Sequence, residues 1–374
     1  MDCWLEVRPL LKVCKVQLLL WNADVGTVTV DCFASCIRLT VHRRRAGGDK
    51  ALIELVFPDD YIFQGETLTP PTESSTVRER KGSTEPLPCR EVTFIVRFDN
   101  ENSGVESNAE FRLIAGEPYR FMCASCSAQI MGQDKIFRRV LPLPSEDWKE
   151  AAGDWFCDSH VGTNGGAVPD VLAPRADELF TSARHFLVHD TLLGEAVKRE
   201  AGKLLCGSCN VVLGKKAAES SSALFTTRVN ISPVGIGENG HHIGGDAVGL
   251  LSNFIKEHLE MSKTCRMIFE SGEQVMLLWL METGLALYSA EELQPGQHTV
   301  QLRVGSKLLY LETETSDKVV QAWKNDALVG VHQLEPELLK DSSRMLFNSG
   351  PSTAVTWDRF RVAFLPGIVE GAVL

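Results

Sequence analysis

Phe121-Met122-Cys123-Ala124-Ser125-Cys126 and Leu204-Leu205-Cys206-Gly207-Ser208-Cys209 are two copies of one local pattern. In each, two apolar residues enter a Cys-x-x-Cys step. Polar residues, an apolar pair and a glycine (Gly132 and Gly214) then lead the chain away. An apolar strand that enters such a turn and leaves as a second strand is a zinc knuckle. The turn aims two thiolates in one direction, and two knuckles close a tetrahedron. Because 79 residues separate Cys126 from Cys206, one ion held by Cys123, Cys126, Cys206 and Cys209 is expected to tie distant parts of the chain together. Four thiolates leave no position for water, so this zinc is structural and catalyses nothing itself.

Two other readings of the cysteines are open. A redox Cys-x-x-Cys opens a helix after a strand in a βαβ setting, whereas the apolar residues Ile130, Met131 and Val211 to Leu213 read as strands. A pair of disulfides is disfavoured by eleven cysteines, an odd number, most of them single in apolar surroundings such as Cys14, Cys32, Cys36 and Cys265. That usage fits a reducing compartment. A rival ligand pair, Cys157 and His160, lies between the knuckles in Cys157-Asp158-Ser159-His160. It would leave one knuckle without a partner, so it is held as a replacement for a knuckle pair.

A length of 374 residues allows two or three cores, and 44% hydrophobic with 23% charged residues is an ordinary globular balance. A formal charge of −11 argues against nucleic-acid or anionic-membrane binding, since both require a basic face. Asp2, Glu6 and Arg8 interrupt any signal-peptide pattern, and the longest apolar run, Val275 to Met281, is far too short to span a bilayer. The expected location is the cytosol, with access to the nucleus.

Residues 1–118 read as an antiparallel β region, a sandwich or open barrel. Short β-branched and aromatic runs (Val16 to Trp21, Val25 to Val30, Ile37 to Val41, Leu52 to Phe57, Val92 to Phe98, Phe111 to Ile114) alternate with turn residues. Residues 65–90, rich in Pro, Ser, Thr and Glu, read as a long loop. Residues 119–216 form the zinc-knuckle module, and 217–374 an α+β region. There Asp246 caps one main helix with Val248, Leu251, Phe254, Ile255 and Leu259 on one face. Arg266 to Phe269 and Val275 to Met281 form a hairpin, and further strands follow. The fold class is therefore α+β and β-rich. Ser145 is expected to cap a short helix ending near Gly153, with Trp148 and Trp155 buried beside the metal module. His185 and His189 lack an HExxH frame and read as structural. Gly235-Ile236-Gly237-Glu238-Asn239-Gly240 matches GxGxxG literally, but no helix opens on its third glycine, so it reads as a loop. Cys265 reads as a small core residue at the start of a strand.

Several stretches together resemble the HECT-like ubiquitin-protein ligases that bind a ubiquitin-conjugating enzyme. They are Tyr119 to Cys126, Arg139-Val140-Leu141-Pro142-Leu143-Pro144-Ser145-Glu146-Asp147-Trp148, Trp155-Phe156-Cys157, Leu205 to Gly214, Leu277-Leu278-Trp279-Leu280 and Phe360 to Leu365. The resemblance implies acceptance of ubiquitin from a charged conjugating enzyme and its transfer to protein substrates of the mitotic-cyclin type. It also implies a link to the pre-mRNA cleavage and polyadenylation endonuclease, for which the chain would be a zinc-stabilised adaptor or chaperone. A HECT ligase carries ubiquitin on a thiol near its C-terminus. No cysteine follows Cys265 here, so the catalytic residue is unassigned and the expected role is a scaffold that positions the conjugating enzyme.

Overall fold

The computed structural model describes residues 1–8, 11–21, 25–43, 50–58, 61–78, 87–100, 113–143, 173–234, 243–262, 264–290, 294–350 and 356–366. The fold is β-rich α+β: four sheets, largely antiparallel, and three α-helices among the described residues. None of these helices is long and apolar enough to cross a membrane.

The chain divides into two compact units. One comprises residues 1–108, 256–334 and 343–374; the other comprises 109–255 and 335–342. These units cut across the three consecutive regions read from the sequence. The reason is long-range strand pairing. The first strand, Asp2–Arg8, lies between Val13–Leu20 and the distant Gln274–Ala290, with Cys3 opposite Ala290 and Val7 opposite Ala286. Pairing of this kind is invisible to any local pattern.

In the first unit an eleven-stranded sheet runs in the order Thr356–Trp357, Phe360–Pro366, Arg303–Glu314, Gln274–Ala290, Asp2–Arg8, Val13–Leu20, Leu87–Asn100, Tyr61–Gln64, with three further strands pairing onto it. A four-stranded sheet contains Gly296–Thr299, Ala51–Val56, Cys36–Arg43 and Val25–Cys32. Alternate residues of both sheets meet in one core: Leu5, Val7, Val16, Leu18, Phe94 and Val96 from the larger, Ile37, Leu39, Ile53 and Leu55 from the smaller. Of the expected sandwich or open barrel, the unit shows two sheets facing one core, with strands from outside 1–118 in both. The expected loop at 65–90 is not wholly a loop, because Thr72–Arg78 pairs antiparallel with the start of Leu87–Asn100. Its side chains at Thr72 to Ser75 are exposed, which is why the segment carries no apolar signal. A second core in this unit packs Val320 and Trp323 of a short helix against Leu277, Leu309 and Phe360.

The second unit holds a seven-stranded sheet in the order Arg139–Pro142, Glu178–Thr181, His185–His189, Ser221–Phe225, Val212–Ala218, Lys203–Cys206, Val197–Glu200. A four-stranded sheet orders Lys135–Ile136, Pro118–Cys123, Val229–Pro233 and Ile243–Gly244. The sequence pattern at Phe225 to Ile231 suggests one strand, but the chain turns at Thr226 to Arg228 and passes from the larger sheet to the smaller. The Thr226 amide and hydroxyl bond to the carbonyls of Arg184 and Ala183 there.

The first helix, α1 (Val248–Ser262), is the expected one, and Asp246 Oδ1 accepts from the Val248 amide at 2.9 Å. Leu251, Phe254 and Ile255 are buried as its spacing predicts. Helix α2 (Lys318–Lys324) and helix α3 (Pro336–Ser349) are not evident in the sequence reading. The first is two turns long; the second starts on a proline, which suits a first helical position. The helix expected from Ser145, with Trp148 and Trp155, lies outside the described residues.

Candidate metal centre

The two Cys-x-x-Cys steps fold alike. In the first, the Cys123 amide donates to Ala128 O at 2.8 Å and the Ser127 amide to Cys123 O at 2.8 Å. In the second, the Cys206 amide donates to Val211 O at 2.9 Å and the Asn210 amide to Cys206 O at 2.9 Å. The offsets from the first cysteine are identical. The residue after each second cysteine takes the left-handed conformation, φ 58° at Ser127 and 57° at Asn210. That conformation turns the chain back on itself. Asn210 suits it well, and was a local signal of the turn; Ser127 gives none.

The turns point thiols inward. Cys123 Sγ accepts from the amides of Ser125 and Cys126, and Cys206 Sγ from those of Cys209 and Ser208. Cys126 Sγ accepts from the amide of Ala128. Amides aimed at sulfur favour thiolate over thiol.

All four sulfurs lie within 4.8 Å of one another. Cys123 Sγ is 3.7 Å from Cys209 Sγ, and Cys126 Sγ is 3.6 Å from Cys206 Sγ. A zinc ion with ~2.3 Å bonds to four sulfurs needs an edge of about 3.8 Å, whereas a disulfide needs ~2.05 Å. The donor set and spacing fit one tetrahedral thiophilic ion. Cys123 and Cys206 are fully buried, while Cys126 and Cys209 face solvent. The cluster therefore caps the core made by Tyr119, Phe121, Phe137, Leu204, Leu213 and Val229, a core that includes the two inner cysteines.

The electrostatics favour a cation. Burial pushes the Cys123 thiol up to about 12. At Cys206 burial acts the same way, but the Cys209 and Ser208 amides outweigh it and bring the thiol down to about 7. Thiols this close cannot all ionise against one another, and Cys206 is the one whose ionisation the neighbouring amides favour. A divalent ion between them removes the conflict and the protons together.

Of the remaining sequence candidates, the two histidines fall elsewhere. His185 and His189 lie on a strand: His185 Nε2 is 3.2 Å from Glu335 Oε1, and His189 Nδ1 accepts from the Thr191 amide and pairs with its hydroxyl. Neither joins the cysteine cluster. Cys157, His160 and the glycine-rich stretch 235–240 lie outside the described residues. Cys3, Cys14 and Cys89 are buried, and Cys265 is half-buried just ahead of the strand Arg266–Ser271, its carbonyl accepting from the Leu280 amide at 2.7 Å.

Comparison with known proteins gives the family. The family described as HECT-like ubiquitin-conjugating enzyme (E2)-binding matches residues 38–352, most of the chain, and this protein belongs to it. Among curated proteins the chain is similar to an E3 ubiquitin-protein ligase of Rattus norvegicus, 31% identical over 121 residues, which cover 32% of this chain and 31% of that protein. It is also similar to the ligase of the same name from Mus musculus, 28% identical over 177 residues, covering 46% of this chain and 45% of the relative. The Homo sapiens protein of that name is 27% identical over 132 residues, 30% of this chain and 32% of the relative. The matched stretches thus span less than half the length of these relatives. No solved structure matches.

Proposed function

We propose that this chain is a scaffold-type ubiquitin ligase. It binds a ubiquitin-charged conjugating enzyme and promotes transfer to a protein substrate, with one zinc ion at Cys123, Cys126, Cys206 and Cys209 holding the platform. The observation that carries this reading is membership of an E2-binding family over residues 38–352. The names of the relatives support ligase activity. A scaffold role fits the disposition of the cysteines: four converge on one another, and Cys265 is half-buried beside a strand. Zinc fits better than a softer or redox-active ion because four thiolates at tetrahedral spacing suit it and the role asked of it is structural. Cyclin-type substrates and a cytosolic and nuclear location belong to the same proposal.

Single-turnover discharge tests it. Full-length protein is mixed with ubiquitin-charged conjugating enzyme from a panel, and products are separated without reductant. Faster discharge without a reducible ubiquitin adduct is expected. An adduct lost in Cys265→Ala or Cys157→Ala would replace the scaffold by a transthiolating ligase. No acceleration across the panel would overturn ligase activity and leave the adaptor reading, in which the partner is the endonuclease of pre-mRNA 3′-end processing.

A further inference from the structure

We propose that metal binding at the four cysteines and docking of the acidic segment 335–342 are one coupled equilibrium, so that each strengthens the other. This rests on the metal reading above and adds a device that the reading does not require.

The segment 335–342 belongs to the cysteine unit although the chain around it, 256–334 and 343–374, belongs to the other. It carries three carboxylates, Glu335 just before α3 and Glu337 and Asp341 within its first two turns, and each is held by groups of the cysteine unit. Glu335 Oε1 meets Lys215 Nζ at 2.6 Å and His185 Nε2 at 3.2 Å. Glu337 Oε1 meets Lys203 Nζ at 2.9 Å. Asp341 Oδ2 accepts from Thr227 Oγ1 and Arg228 Nε, both at 2.6 Å. Asp341 and Thr227 are buried, as are Leu338 and Leu339 within the segment. Burial alone would push the Glu335 carboxyl up, but the His185 and Lys215 contacts outweigh it and hold it well below the usual range. Asp341 with Arg228 is a buried pair, whereas the lysines that meet Glu335 and Glu337 are about half exposed and their pairs are weaker.

The anchors are part of the knuckle framework. Lys203 begins the strand Lys203–Cys206 that ends on a ligand cysteine, and Lys215 is its cross-strand partner. Like charges directly opposite repel, and the acidic segment neutralises the pair. On the other side, the Arg228 carbonyl accepts from the Ala124 amide at 3.0 Å inside the first knuckle, and Val229 pairs with Cys123. One knuckle therefore sets Lys203 and the other sets Arg228. The distance between these two anchors, which must match Glu337 and Asp341, is fixed when one ion holds Cys123, Cys126, Cys206 and Cys209 together. Removing the ion frees the knuckles to part and the anchors with them. By linkage, a docked segment holds the knuckles closed and raises metal affinity by the same factor.

The test uses the full chain. Hydrogen exchange is followed in 335–342 with zinc bound and after chelation, and zinc affinity is measured by competition with a chelator. Exchange in 335–342 is expected to rise about tenfold or more on chelation, within the usual range of coupling between sites. Asp341→Asn is expected to weaken zinc binding on the order of tenfold and Glu337→Gln a few-fold. Asp341 is buried, so its replacement also loads the fold; Glu337, with 18% of its side chain exposed, gives the cleaner reading. Unchanged exchange in 335–342 while the knuckles loosen, or wild-type affinity in Glu337→Gln, would overturn the coupling and leave the metal site standing. Wild-type protein that binds no zinc would overturn the metal site and the coupling with it.

Discussion

The two units reach stability by different routes. The sandwich unit buries a continuous apolar face from two sheets, with Tyr61, Phe63 and Phe98 in ring contact at 5.0 to 6.0 Å and Phe57 against Phe63 at 4.6 Å. The cysteine unit has a core as well, but two of its buried members are Cys123 and Cys206, so the core and the cluster are one structure. Apolar area holds the first; in the second, on the proposal above, one ion joining residues 123 to 209 adds to it. Loss of one ion should therefore act on half of the molecule and spare the rest.

The strongest way to break this contrast is Cys206→Ser. Structural zinc contributes about 10–16 kcal/mol of apparent binding free energy in small domains, and most of it is folding free energy. The variant is expected to lose zinc and to unfold the cysteine unit, seen as fast hydrogen exchange in 119–131 and 203–214, while strands 13–20 and 92–98 keep their protection. If protection falls in both sets together, the units are not separately stabilised. If Cys206→Ser keeps full zinc and Cys157→Ser loses it, the ligand set is the rival one.

The reciprocal variant is Phe98→Ala. Phe98 is fully buried against Tyr61 and Phe63, and truncating such a ring costs about 3–5 kcal/mol. The sandwich unit should melt earlier, while zinc content, measured by metal analysis of the purified protein, stays at one per chain. Zinc loss in this variant would mean that the metal site depends on the sandwich core.

A finer distinction separates the two knuckles. Both sequence motifs end in a glycine, yet the two glycines differ in the structure. A Cβ on Gly214 would fall on the Ala223 carbonyl oxygen across the strand pair; one on Gly132 would meet nothing within 4 Å. Gly214→Ala should therefore cost about 1–3 kcal/mol by forcing adjacent strands apart. Gly132→Ala should be nearly neutral. Thermal unfolding of the two variants side by side checks this; equal losses would restore the symmetry that the sequence suggests.

The convergence of the four cysteines was legible in the sequence because its pattern is local: the residue types, spacing and flanking apolar pairs of each Cys-x-x-Cys step lie within about ten residues. The helix α1 was legible for the same reason, through Asp246 and the Leu251, Phe254, Ile255 face. The unit boundaries were not, since they depend on Cys3 lying opposite Ala290. Nor was the segment 335–342, whose Glu335, Glu337 and Asp341 look like ordinary solvated acids until Lys215, Lys203 and Arg228 are brought to them from more than a hundred positions away. The asymmetry of Gly132 and Gly214 arises from which neighbour strand lies alongside, again a non-local fact.

The smallest expected effect sharpens the contrast from the sandwich side. Asp317 caps α2, accepting from the Val319 amide at 3.0 Å, and is also held by Arg359 and Thr313. The Arg359 guanidinium and the Thr313 hydroxyl hold its carboxyl far below the ordinary range. A carboxyl whose folded value lies below its unfolded one stabilises the fold above about pH 4 and ceases to as pH falls through the folded value. Hydrogen exchange in 318–324 should thus quicken only in strongly acid solution. Asp317→Ala should cost α2 about 1 kcal/mol at neutral pH, the usual worth of a cap, and flatten the acid dependence there. On the metal proposal the two Cys-x-x-Cys turns should respond at higher pH, because thiolates that hold a metal take up protons well before a depressed carboxylate does. An acid titration followed by exchange in both units should therefore show 119–131 and 203–214 loosening first and 318–324 last. The opposite order would place the weakest link in the sandwich and remove the metal from its role as the clamp.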